Sequence, residues 1–138
     1  MAHATALTPA WIVLAGDHRA VIRIVVDDPG RCPAALIDGA THPMSLRHPV
    51  PQSFKPVCEI DLPANAKSAS VNGQKLKLPR GNPTRVVVVG DTGCRINRYS
   101  AQDCNDPAQW PFARVSARAA GDRPDLVIHV GDYLYRES

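Results

Sequence analysis

Apolar residues follow two different patterns along the chain. Residues 11–78 contain short runs rich in Val, Ile and Leu, with Pro, Gly, Asp and His between them: WIVLAG, RAVIRIVV, AALIDG, PVCEIDLP and SASVNGQKLKL. Turn signals about 8–12 residues apart are typical of small antiparallel β domains. We therefore predict that residues 1–79 form an antiparallel, sandwich-like β domain.

Two polar segments in this half predict hairpins. Asn72 and Gly73 lie between two alternating runs, and both residue types tolerate the positive φ of a type I′ turn. The segment Gly16-Asp17-His18 follows an apolar run and offers an Asp-His pair to a metal. A tight turn is the favoured interpretation, because polar residues between two apolar runs suit a hairpin.

After the segment PRGNP the apolar pattern becomes continuous. Residues 85–90 read RVVVVG and residues 126–131 read LVIHVG. Continuous β-branched runs are typical of parallel strands covered on both faces. Between them lies an Ala- and Arg-rich stretch that Pro111 could begin and that Gly121 with Pro124 could end. We therefore predict that residues 80–138 form a βαβ unit and that the whole chain has a two-part α+β fold.

Each of these two strands runs directly into Gly-Asp. Ligands of open α/β sheets bind beyond the carboxyl ends of the strands, so we expect Asp91 and Asp132 to meet in one crevice. Two carboxylates at one place repel each other unless a cation lies between them, which predicts a metal site. Gly90, Gly93 and Gly131 are expected to let the backbone turn without a Cβ in the way.

Two further side chains lie near this predicted site. Tyr135 follows Asp132 by three residues, and a phenol beside multivalent cations can ionise below its usual pKa of about 10 and become a ligand. The alternative is an aromatic ring packed under the loop. His129, inside the second strand, is interpreted as a hydrogen-bonded buried histidine or as a partner of a ligand, rather than as a ligand itself.

These residues resemble a known family. The sequence VVVVGDTG followed by PDLVIHVGDYLY resembles the first two motifs of the calcineurin-like metallophosphoesterases, and GDxG with GDxxY resembles the purple acid phosphatase branch. The wider family more often has a histidine where this chain has Gly93. The resemblance implies that Asp91 binds a first, ferric-type metal, that Asp132 bridges two metals, and that Tyr135 completes the first site.

The resemblance also implies a fold and an activity. The fold would be an α/β/β/α sandwich, of which this chain carries the first βαβ. The activity would be hydrolysis of phosphate monoesters or diesters, with two metal ions as cofactors, iron paired with iron, zinc or manganese. The phosphate ester would be the partner.

The chain departs from the family pattern downstream of the second motif. The family takes its remaining ligands from a GNH motif, a lone histidine and a GHxH motif, all after that motif. All five histidines here precede Asp132: His3, His18, His42, His48 and His129. We therefore expect a truncated fragment, inactive alone, whose exposed sheet edge could associate with another chain.

The four cysteines give information on the cellular compartment of the protein. Their order favours the pairs Cys32–Cys58 and Cys94–Cys104, which would indicate a periplasmic or secreted protein. Four free thiols in a cytosolic protein are the alternative. The first ten residues show no signal peptide.

The composition and the motifs argue against several classes of function. No apolar run approaches the roughly 20 residues of a membrane span, and the net charge of +3 is spread out, so neither a membrane nor a nucleic acid is predicted as a partner. The GDTG segment lacks the spacing of a nucleotide-binding loop. The rival function is a non-catalytic module in which the β domain binds a partner and the two aspartates only cap strands.

Overall fold

The computed structural model describes residues 8–48, 55–133 and 135. The chain divides into two compact units, Met1–Pro79 and Arg80–Ser138. The division falls within the PRGNP segment, where the apolar pattern changes. The described residues are mostly β-sheet with a single helix.

The first unit is an antiparallel β structure. Its two four-stranded sheets have the strand orders β1-β2-β6-β5 and β4-β3-β7-β8. Every pairing in these sheets is antiparallel, which confirms the predicted strand arrangement. The strands are β1 (Trp11–Leu14), β2 (Ala20–Val25), β3 (Ala34–Ile37), β4 (Ala40–Pro43), β5 (Ser45–Leu46), β6 (Val57–Leu62), β7 (Ala69–Val71) and β8 (Gln74–Lys75).

The apolar core of this unit draws on both sheets. Because side chains alternate between the two faces of a strand, every second residue of β3 and β7 is buried. In β2, Ile22 and Ile24 are buried on one face and Val21 is buried on the other. Leu36, between two buried neighbours, is 45% exposed. The buried cluster comprises Ala10, Ile22, Ile24, Ala35, Ile37, Met44, Cys58, Leu62, Ala69 and Val71.

Tight turns with positive φ join the strands of the first unit. Asn72 and Gly73, between β7 and β8, have φ of 48° and 80°, which confirms the predicted hairpin. Asp17 and His18, between β1 and β2, have φ of 58° and 59°. The turn interpretation of that Asp-His pair is therefore confirmed.

A third hairpin and two short strands were not predicted. Asp38 and Gly39 take φ of 49° and 84° between β3 and β4, and Asp-Gly is itself a hairpin signal that could have revealed this turn. Strands β4 and β5 contain polar and exposed residues, so no apolar alternation marks them.

Both cysteine pairs form disulfides. Cys32–Cys58 joins the segment before β3 to β6, in the core of the first unit. Cys94–Cys104 closes a loop in the second unit. The alternative of four free thiols is therefore wrong.

The second unit has two strands and a helix. Strand β9 (Val86–Gly90) is followed by α1 (Phe112–Gly121) and then by β10 (Leu126–Val130). Strands β9 and β10 pair in parallel, with Val86 opposite Leu126 and Gly90 opposite Val130. The helix begins after Pro111 and ends at Gly121 as the sequence indicated, but none of its residues is buried. No helix in residues 8–48, 55–133 and 135 has the length and hydropathy to span a membrane.

Candidate functional site

The two Gly-Asp segments lie side by side at one edge of the β9–β10 sheet. Because Gly90 pairs with Val130, the residues that follow each strand emerge next to each other. The Asp91 N–H donates to the carbonyl oxygen of Val130 at 3.3 Å. The Asp132 N–H donates to Oδ1 of Asp91 at 3.0 Å. The two aspartates that the sequence singled out are thus joined by a direct hydrogen bond.

The backbone turns here at Asp91 rather than at Gly90. Asp91 has φ of 50° and Gly131 has φ of 75°, whereas Gly90 and Gly93 do not have positive φ. Of the three glycines expected to ease the turn, Gly131 alone has a positive φ. Asp tolerates the left-handed region better than most residues, because its short side chain can make local hydrogen bonds.

Gly90 and Gly93 are required for close packing instead. A Cβ at Gly90 would lie 2.7 Å from the Val130 carbonyl oxygen of the neighbouring strand. A Cβ at Gly93 would lie 2.8 Å from the Tyr133 carbonyl and from Cδ2 of Tyr135. The missing side chain at Gly93 lets the two loops touch.

Tyr135 lies against Asp91. Its hydroxyl donates to the Asp91 carboxylate, its carbonyl accepts from the Ile96 N–H at 3.0 Å, and the guanidinium of Arg95 lies 5.1 Å from the ring centroid. The phenol thus faces the carboxylate pair, and its backbone fixes the loop after β9.

Hydrogen bonds and charge move two pKa values in this site. The Asp132 N–H and then the Tyr135 hydroxyl hold the pKa of Asp91 below its ordinary value, because both stabilise the carboxylate. Burial, followed by the hydrogen bond to Asp91 and the charges of Asp91 and Asp132, raises the pKa of Tyr135. Without a cation the phenol is therefore held protonated, the opposite of the ionisation that a bound metal would favour.

The donor chemistry of the site suits a hard metal ion. Asp91, Asp132 and Tyr135 are all oxygen donors, and within the described ranges the carboxylate of Asp132 makes no hydrogen bond or ion pair. Two aspartates at one edge of a sheet give a concentration of negative charge that a cation relieves. The described residues contain no group of three or more His, Cys, Asp or Glu side chains placed to hold a metal ion.

A second network, centred on Thr92, was not predicted from the sequence. Oγ1 of Thr92 lies 2.6 Å from Nε2 of His129, and the Thr92 carbonyl accepts from the indole N–H of Trp110 at 2.8 Å. The His129 ring stacks on Tyr133, with centroids 3.8 Å apart. His129 therefore bonds to the residue after Asp91, although its Nδ1 is buried without a partner. Sequence reasoning named His129 but overlooked Thr92, which no motif distinguishes from a loop threonine.

The loop between β9 and α1 is held by its own contacts. The Cys94–Cys104 disulfide closes it. The side chain of Gln102 accepts from the Arg95 N–H at 2.7 Å and donates to the Gln109 carbonyl at 2.8 Å. The loop that follows Asp91 and Thr92 is therefore held by one disulfide and by the hydrogen bonds of the Gln102 side chain.

Comparison with known proteins gives no relative: no family model, no curated protein and no solved structure matches the chain. Inferences about function rest on the residues and their geometry.

Proposed function

We propose that Asp91, Asp132 and Tyr135 form part of the metal centre of a phosphate-ester hydrolase of the calcineurin-like, purple acid phosphatase-like type. The observation that carries this proposal is the hydrogen bond from the Asp132 N–H to the Asp91 carboxylate, at the carboxyl ends of two parallel strands. This edge is where ligands of open α/β sheets bind.

The charges at this edge support a cation rather than an anion as the bound species. Asp91 stays ionised because the Asp132 N–H and the Tyr135 hydroxyl stabilise its carboxylate. The guanidinium of Arg95 lies over the Tyr135 ring, and Arg95 makes no ion pair with Asp91 or Asp132 among the described residues. The carboxylates of Asp91 and Asp132 and the phenol of Tyr135 thus give an acidic site that a multivalent ion would neutralise.

In this proposal each residue has one task. Asp91 and Tyr135 would hold a first metal ion, and Asp132 would be a ligand shared with a second. When bound, two such ions supply positive charge for phosphate oxygens and lower the pKa of a bound water. The backbone contacts at Gly90, Gly93 and Gly131 keep the three oxygen donors at one edge. A complete two-metal site needs more ligands than these three, so we expect weak hydrolysis by the 138-residue chain alone.

The two disulfides favour an oxidising compartment. Disulfides persist in secreted and periplasmic proteins and are rare in the cytosol, where thiols are kept reduced. We therefore propose a periplasmic or secreted location.

Metal binding by the full chain tests the proposal. Equilibrium dialysis against Mn²⁺ and Zn²⁺ should show binding that Asp132→Ala weakens by about 10-fold or more, since loss even of a residue that supports a ligand costs about 10- to 100-fold. The control is Asp122→Ala, which removes an exposed carboxylate of the same unit, after α1. Equal affinity in wild type and Asp132→Ala would contradict the proposal.

One observation favours the rival function. Asp91 accepts a backbone N–H across the two strand ends, which is also what a purely structural cap does. If capping is its whole role, Asp91→Ala destabilises the second unit and Asp132→Ala changes neither stability nor metal binding. Thermal unfolding of both variants beside the dialysis therefore separates the two functions.

A further inference from the structure

We infer that the hydroxyl of Thr92 is a free hydrogen-bond donor that binds a phosphoryl oxygen of the substrate, and that His129 is the residue that positions it. This inference rests on the proposed function, because it names the group that would hold the phosphate beside the metal ligands. It arises from a network that the metal site does not use.

Thr92 is fixed in place by two other segments. Its carbonyl accepts from the Trp110 indole N–H at 2.8 Å, which ties it to the residues just before α1. Its Oγ1 lies 2.6 Å from Nε2 of His129 on β10. Thr92 also directly follows Asp91 and is half-buried. A hydroxyl so held, on the residue next to Asp91, is preorganised, which is the property that a substrate-positioning group needs.

The surroundings of the other ring nitrogen of His129, Nδ1, indicate which side chain donates in the hydrogen bond between His129 and Thr92. Nδ1 is buried and has no hydrogen-bond partner within residues 8–48, 55–133 and 135. If Nδ1 carried the proton, a buried N–H would be orphaned, and orphaned donors are rarer in proteins than under-satisfied acceptors. The favoured neutral form therefore carries its proton on Nε2, and that N–H donates to Thr92 Oγ1. The doubly protonated ring donates there as well.

The ring stack helps to keep this arrangement. Tyr133 lies over the His129 ring at a centroid distance of 3.8 Å and an interplanar angle of 20°. Tyr133 is itself 69% exposed, so the pair lies at the surface of the site rather than in a core.

A proton on the Thr92 hydroxyl is then left without an acceptor. When Oγ1 accepts from His129, its own hydrogen must point elsewhere, and within the part of the chain that the structure describes Oγ1 makes no other hydrogen bond. An ionised phosphoryl oxygen is a strong acceptor, and hydroxyl donors to such oxygens make short, charge-assisted bonds. The structure thus supplies a donor on the residue that directly follows Asp91, one of the proposed metal ligands.

The tautomer of His129 can be measured without metal or substrate. Long-range ¹H–¹⁵N NMR of the full chain at pH about 8.5, where histidine side chains are as a rule neutral, distinguishes the two nitrogens. We expect the signal pattern of a proton on Nε2. A proton on Nδ1 would mean that Thr92 donates to His129 and would overturn the inference, whatever the fate of the proposed function.

Phosphate binding tests the role of the hydroxyl. With the Mn²⁺-loaded chain and inorganic phosphate as the probe, Thr92→Val should weaken binding by about 10-fold, because it removes a donor to a charged acceptor. Thr92→Ser keeps the hydroxyl and should stay within about 2-fold. Mn²⁺ affinity should be equal in all three proteins. Equal phosphate affinity in Thr92→Val, or no phosphate binding by a chain that does bind Mn²⁺, overturns the role of Thr92. A chain that binds no Mn²⁺ overturns the proposed function and, with it, the phosphate role.

Discussion

The two units of this chain bury their apolar residues to very different degrees. In the first unit a cluster of ten residues from two sheets is buried, and Ile22, Cys58 and Val71 are almost fully inaccessible. In the second, Cys94 is the one buried hydrophobic residue among those described. Val88 and Val127, within strands of high β propensity, are 59% and 51% exposed.

This difference shows that two kinds of sequence pattern can form a strand. Alternating residues in the first unit give each sheet one apolar face, and the two faces bury each other. The continuous runs of the second unit have apolar side chains on both faces, which the hydrogen-bonded β9–β10 pair cannot cover. β-branched residues can therefore define a strand without burying it. We expect the first unit to be the more stable and the second to depend on local polar contacts.

The largest expected effect is the loss of the Cys32–Cys58 disulfide. Replacing both cysteines with alanine opens a loop of 26-residue separation and should cost about 3.5 kcal/mol of unfolding free energy in the first unit. Urea denaturation followed by Trp11 fluorescence in a Trp110→Phe background measures it. Removing Cys94 and Cys104 instead should leave the Trp11 transition unchanged. A shift of that transition would show that the units are not independent.

A matched pair of core and surface truncations sharpens the comparison. Ile22→Ala should cost about 3 kcal/mol, since the side chain is 0% exposed and its loss leaves a cavity. Val88→Ala removes a side chain that is 59% exposed and should cost less than about 0.5 kcal/mol. Urea unfolding of both variants, followed by far-UV circular dichroism, checks this. Comparable losses at the two positions would mean that the faces of β9 are covered in solution.

The second unit should be most sensitive at Asp125. Its buried carboxylate accepts from the N–H and hydroxyl of Thr84 and from the N–H of Arg85, and it pairs with Arg80, so it joins the start of β9 to that of β10. Asp125→Asn should cost about 2 kcal/mol, because it weakens several charge-assisted bonds. Trp110 fluorescence during unfolding, in a Trp11→Phe background, reports this loss. An unchanged midpoint would contradict the dependence of this unit on polar contacts.

The smallest expected effect depends on pH and lies in the first unit. The backbone N–H groups of Lys67 and Ser68 hold the pKa of Asp38 below its ordinary value. A depressed folded pKa adds stability above the unfolded pKa of about 4, and this contribution is lost as pH falls through the folded value. Asp38→Asn keeps an acceptor and tolerates positive φ. Its Tm should be lower than that of wild type by a degree or two at pH about 7 and equal at pH about 2. A difference that persists in acid would contradict this.

The sequence was sufficient to predict the features that depend on short local signals. The alternating runs and Asn72-Gly73 located strands and a hairpin, and the repeated Gly-Asp located two aspartates that do meet. It did not predict the features that depend on tertiary contacts. The exposed β4 and β5 have no apolar pattern, because pairing with neighbours holds them.

The roles of individual site residues also depended on contacts. No sequence rule could show that Gly93 is needed for the approach of Tyr133, or that the threonine after Asp91 bonds to a histidine 37 residues away. Asp91 takes the positive φ expected of a glycine because its carboxylate is bonded across the strand ends.

The most direct test of the central claim is where a metal ion binds. In ¹⁵N-labelled full-length chain, substoichiometric Mn²⁺ broadens the amide signals nearest to it. We predict that signals of residues 90–93, 131–133 and 135 disappear first and that Asp132→Ala removes this selectivity. Broadening that is uniform, or that is centred on acidic residues of the first unit such as Asp27 and Asp28, would contradict a metal centre at the ends of β9 and β10.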